Sequence, residues 1–110
     1  MKYYEIELEG ETIKFRLTSN DCMVIEKTTG MSVLEYIQRM SVTTIVNLLK
    51  YMVRSSVPNY SEKDAMELYN KLIDNGYTIS TIIEDIIMEA LVVSGFMTSE
   101  ELNKMKKVKE

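Results

Sequence analysis

Glu84, Asp85 and Glu89 are the residues whose types and spacing come nearest to chemistry. Paired carboxylates can divide acid and base work when their environments push their pKa values apart. Here Glu84 and Asp85 are neighbours on one helical stretch and point about 100° apart, while Glu89 lies one turn on from Asp85 and shares its face. A solvated helix face has the same pattern, and a metal site would need carboxylates from a second helix. Cys22 is the only cysteine, and the chain has no histidine to activate it. Set beside Asp21, Met23 and Ile25, it reads as a small apolar residue rather than a nucleophile. The glycines stand singly, so no phosphate-cradling loop is present. These residues predict no catalytic site, no metal and no cofactor, and they point to an interaction protein rather than an enzyme.

Bulk composition narrows the classes further. A chain of 110 residues with 45% hydrophobic and 27% charged residues fits one globular domain. Its net charge of −4 argues against a duplex DNA binder, whose affinity comes from neutralising phosphates. A lone cysteine allows no internal disulfide and suits a reducing compartment. The start, MKYYEIELEG, lacks an apolar h-region, so no signal peptide is expected. Residues 78–97 approach membrane-spanning length, but the three central carboxylates make insertion costly and predict no membrane span. Nine methionines suit either core gap-filling or an adaptable binding surface.

The elements that position these residues read as α+β, mainly helical: an N-terminal two-stranded β-hairpin packed on a bundle of about four to five helices. Tyr4, Ile6 and Leu8 alternate with glutamates, and Ile13, Phe15 and Leu17 alternate with Lys14 and Arg16, giving a hairpin over 3–17. A Gly10-Glu11 loop predicts the pairs Leu8 with Ile13, Ile6 with Phe15 and Tyr4 with Leu17, and it is preferred to a Glu9-Gly10 loop, which would set Leu8 against Glu11 and is expected to break both faces. Helices follow over 19–95. Thr18 with Asp21 opens the first, which Gly30 closes; Ser32 with Glu35 opens a second through about Met40. Ser41 caps a third over about 42–55, with Val42, Ile45, Val46, Leu48, Leu49, Met52 and Val53 on its apolar arc. A loop around Pro58 precedes a fourth, opened by Ser61 with Asp64, lined by Ala65, Leu68, Tyr69, Leu72 and Ile73, and ended by Gly76.

The fifth helix, about 78–95, is the most apolar stretch. Ile79, Ile82, Ile83, Ile86 and Ala90 share one side, but Met88, Leu91 and Val92 carry apolar surface round to the side that should be wet. These three either complete the core or form an interface. Paired with the fourth helix through Asn75-Gly76-Tyr77, it has the outline of a helix-turn-helix, but without Arg or Lys it makes a poor recognition helix. Residues 1–97 form the single domain. Residues 98–110 make a short charged C-terminal helix or tail, capped by Thr98 with Glu101, carrying Leu102, Met105 and Val108 at helical spacing and expected to fray.

Several strings together resemble one family. They are Phe15-Arg16-Leu17-Thr18, Glu26-Lys27 with Gly30 and Leu34 after it, Ser41-Val42-Thr43-Thr44-Ile45-Val46, Asp74-Asn75-Gly76 and Ser94-Gly95-Phe96. From about Tyr4 to Phe96 the chain resembles the tail assembly chaperones of long-tailed bacteriophages and prophages of Gram-positive bacteria. The resemblance implies a non-enzymatic phage protein of virion assembly that binds and shields the tape measure protein while the tail tube polymerises. It implies the tail tube protein as a further partner, a homo-oligomer, no nucleic acid, residence in the bacterial host cytoplasm and absence from the mature virion. It also implies a longer frameshifted product, for which Lys104, Lys106 and Lys107 could be encoded by a slippery adenine run. A tape measure exposes long apolar stripes, and Met88, Leu91, Val92, Phe96 and Met97 are the residues expected to cover them. The alternatives are another small phage structural or adaptor protein of head–tail connector type and, behind it, a helical DNA-binding regulator.

Overall fold

Residues 2–109 are described by the structure, a computed structural model. Strands β1 (Tyr4–Leu8) and β2 (Glu11–Phe15) form an antiparallel hairpin. Six helices follow: α1 (Ser19–Thr29), α2 (Val33–Ile37), α3 (Val42–Arg54), α4 (Glu62–Asp74), α5 over residues 79–94, and α6 (Ser99–Lys109). The fold is α+β and mainly helical, as the patterning predicts. Helix α3 is its hub. Thr44, Ile45, Val46, Leu48, Leu49, Met52 and Val53 are buried along it, and it packs against β2, α2, α4 and α5. Thr44 is the one buried polar side chain among the described residues, and Ser41 Oγ donates to its hydroxyl over 2.9 Å.

The helix starts follow their capping residues. Thr18, Ser32, Ser61 and Thr78 each sit in extended backbone and accept from the residue three along, closing reciprocal capping boxes. Ser41 accepts from the Thr44 N–H, and Thr98 from the Glu101 N–H. Helix α2 stops at Ile37, short of the expected Met40, and Met40 has a φ of +50°. The physical reason is Ser41. An N-cap needs extended backbone, so the chain must leave the helix and turn first. Val42 and Ile73, expected on inner faces, are exposed. Val42 is the first residue of α3, at the margin of the packed surface. Leu72 takes the core position beside Ile73, about 100° round the helix.

The hairpin corrects the expected register. Its loop is Glu9-Gly10, with φ values of +50° and +82°, and the pairs are Leu8 with Glu11, Ile6 with Ile13 and Tyr4 with Phe15. Two left-handed residues in a row suit the twist of a two-residue hairpin. The faces survive because each partner moves by two residues, one full side-chain period. Only the pair at the turn is mismatched, leaving Leu8 buried and Glu11 exposed. The hairpin's exit is bolted to the bundle: Arg16 N–H donates to the Met52 carbonyl (3.1 Å), Ser55 Oγ to the Arg16 carbonyl (2.7 Å), and Leu17 N–H to Ser94 Oγ (2.9 Å).

Helix α5 is not regular. An α-helical turn (Ile79–Ile82) leads into a π-helical turn (Ile83–Ile87), closed by the Met88 N–H on the Ile83 carbonyl, and an α-helical end (Met88–Ser94). A π turn holds one residue more than an α turn. At about 100° per residue, Leu91 and Met88 would fall about 120° and 180° round the helix from Ile79; with the extra residue set aside they fall about 20° and 80° round, towards its apolar side. The apparent excess of apolar surface comes from the inserted residue, and the wide turn rotates the second half of the helix back onto the core. Gly95 ends the helix with a φ of +91°, a conformation that costs a side-chain-bearing residue. Beyond it, α6 is docked on α5 and its Leu102 is 2% exposed, part of the same core. Of the tail over 98–110 that is expected to fray, the side chains of Val108 and Lys109 and all of Glu110 lie outside the described residues.

Candidate partner-binding surface

The five residues expected to meet a partner separate into two groups. Met88 (4% exposed), Leu91 (1%) and Met97 (7%) belong to the core. The expectation that they form free surface is corrected, and the π turn is the reason for the first two: it turns them inward. Val92 is partly buried against the core. Phe96 alone is open, with 40% of its surface exposed.

Phe96 does not stand by itself. It borders a hollow of about 220 Å³ whose other walls are Cys22 and Glu26 of α1, Ser32, Val33 and Leu34 at the start of α2, and Leu91 at the base. Leu34 is 45% exposed, and Met23, next to Cys22 on α1, is also exposed. The local folding logic is plain. Gly30 lets α1 end in a left-handed turn, and the Ser32–Glu35 capping box restarts the chain as α2 with Leu34 in its first turn. Gly95 likewise swings Phe96 out of α5, where its N–H donates to the Leu91 carbonyl at 2.9 Å. The turns at Gly30 and Gly95 therefore bring apolar side chains together around one opening. Leu34 was legible as an apolar helix residue, but its pairing with Phe96 across more than sixty positions has no local signal.

The polar candidates find structural roles. Burial, with Asp21 and Glu26 nearby, pushes the Cys22 thiol above its ordinary range, so it stays protonated at neutral pH and is a poor nucleophile. Lys106 of α6 bonds Glu89 at 3.2 Å and approaches Asp85 at 3.9 Å, tying the C-terminal helix across α5. Among the described residues no group of three His, Cys, Asp or Glu is placed to hold a metal ion, and no helix is long and apolar enough to cross a membrane. Comparison of the chain with protein-family models, curated proteins and solved structures gives no match.

Proposed function

We propose that this protein is a phage tail assembly chaperone that shields the tape measure protein through reversible apolar contacts while the tail tube forms. The observation that carries the reading is the opening framed by Phe96 and Leu34, an exposed apolar patch seated on a rigid core. Such a patch suits one face of an amphipathic helix, whose apolar side chains recur every three to four residues. An aromatic anchor beside a small hollow is the arrangement that concentrates binding energy at an interface. The sequence resemblance supports the same reading, since its strings fall on the Thr18, Ser41 and Gly95 helix boundaries that frame the fold. The protein acts without catalysis, works in the host cytoplasm as a homo-oligomer, and meets the tail tube protein as a further partner.

Mass spectrometry of purified particles and of the lysate that produced them tests this role. A chaperone is abundant in the lysate and missing from the particles. Recovery in the particles at fixed copy number would replace this reading with that of a structural or adaptor subunit.

A further inference from the structure

A second hollow, of about 480 Å³, lies elsewhere, between β2 and α4. Glu11, Thr12, Ile13 and Lys14, four consecutive residues of β2, all border it. Successive strand side chains point to opposite faces, so four in a row means that the hollow runs along the strand's edge. That edge is open. A two-residue loop closes on a hydrogen-bonded pair, here Leu8 with Glu11, and the ladder alternates from there. The backbone groups of Thr12, Lys14 and Arg16 therefore face away from β1. Arg16 fits this parity, because its N–H and carbonyl are taken by Met52 and Ser55 of the α3 end. No described residue takes the corresponding groups of Thr12 and Lys14 from that side.

The side chains of the hollow say what would lie there. Val53, Val57 and Leu68 supply apolar wall. Glu11, Glu67 and Tyr60 also border the hollow. Asp64 borders it too, and burial with the carboxylates of Asp64, Glu67 and Glu11 pushes the Tyr60 hydroxyl up to about 12. Asp64 is committed to the cap of α4, while Glu11 and Glu67 have no ion pair among the described residues. Two cations also border the hollow. Lys14 reaches over the Tyr3 ring at 5.7 Å, and Lys71 lies one turn along α4 from Glu67. Helix α4 supplies the hollow's other wall through Asp64, Glu67, Leu68 and Lys71.

We propose that the open edge of β2 binds a short extended segment of a partner polypeptide, which adds as a third strand and turns one apolar side chain and, two residues away, a lysine or arginine into the hollow. Backbone hydrogen bonds to Thr12 and Lys14 supply the pairing, Val53, Val57 and Leu68 take the apolar side chain, and Glu11, Glu67 and the Tyr60 ring take the cation. The site is separate from the Phe96 opening and does not depend on the chaperone reading.

The test is a titration of the full-length ¹⁵N-labelled protein with the capped peptide acetyl-Thr-Val-Thr-Lys-Thr-amide, followed by backbone amide NMR. The expected result is saturable shifts centred on Thr12 and Lys14, with slowed hydrogen exchange at both. Replacing the peptide's lysine by glutamate should weaken binding by about tenfold or more, and N-methylating its backbone should abolish it. Lys14→Pro, which an edge strand tolerates, should remove binding with the rest of the spectrum intact; should that variant misfold, the N-methylated peptide gives the same answer on the unaltered protein. No saturable shift at millimolar peptide, shifts centred on Phe96 instead, or equal binding of the glutamate peptide would overturn the proposal. Concentration-dependent shifts of Thr12 and Lys14 without peptide would overturn it too, assigning the edge to a second copy.

Discussion

Leu91 and Phe96 lie five residues apart and have opposite fates. Leu91 closes the base of the hollow from inside the core, and Phe96 stands at its rim. A charge forced into the Leu91 site has no partner there, so Leu91→Asp should abolish the cooperative thermal transition, and Leu91→Ala should cost about 2–5 kcal/mol in a denaturant melt. Phe96→Asp should leave the melt nearly unchanged and act only on partner binding. Two titrating groups extend the residue-scale account. The Tyr60 hydroxyl donates to the Asp64 carbonyl at 3.2 Å and ionises near 12, against an ordinary 10.0. An acid whose folded pKa is raised binds its proton longer when folded than when unfolded, so stability is lost as pH rises from about 10 towards about 12. Tyr60→Phe should flatten that alkaline loss in stability measured against pH. Asp64 is the opposite case: hydrogen bonds from Ser61 hold its carboxyl below the ordinary range. Its contribution is present above the unfolded value and falls away as pH drops through the folded one, and Asp64→Asn should blunt this acid limb.

At the scale of elements, what could be read from the sequence was local chemistry. Thr18, Ser32, Ser41, Ser61 and Thr98 mark helix starts because a side-chain oxygen and the N–H three residues on meet within one turn. The hairpin register was harder. The two loops differ by one position, and both keep the apolar faces aligned, so alternation cannot choose between them. The π turn was harder still. Ile83–Ile87 contains neither glycine nor proline, and the inserted residue announces itself only as apolar side chains that seem to stray off their face. This gives a sharp test. Deleting Asp85, an exposed residue of the wide turn, should regularise α5 and keep the fold, because Met88 and Leu91 then reach the same side of an ordinary helix as Ile79. Its distant pairing with Lys106 is worth at most about 1 kcal/mol. Deleting Asn47 from the regular α3 should instead rotate Leu48, Leu49 and Met52 by about 100° and unfold the chain. Circular dichroism with thermal denaturation distinguishes the two deletions.

At the scale of the molecule, the packing joins segments that sequence reading treats separately. The C-terminal stretch, with its lysines, reads as a solvated tail, yet Leu102 is sealed into the core and Lys106 reaches back to α5. Leu102→Ala should cost about 2–5 kcal/mol in a denaturant melt, as for other buried leucines. Both concave surfaces are likewise products of assembly. The Phe96 opening needs α1, α2 and the end of α5, and the β2 edge becomes a groove only when α4 stands opposite it. No local pattern encodes either, which is why three residues of one helix and two just beyond it looked like the whole surface. The central claim is that the Phe96 and Leu34 opening covers a tape measure protein, and its most direct measurement is co-expression of the two chains, followed by size-exclusion chromatography of the soluble fraction. The account predicts that the unaltered protein keeps the tape measure chain soluble and co-elutes with it, while folded Phe96→Asp and Leu34→Asp variants lose the complex by at least about tenfold. A tape measure chain equally soluble with and without this protein, and no shared peak, would contradict it.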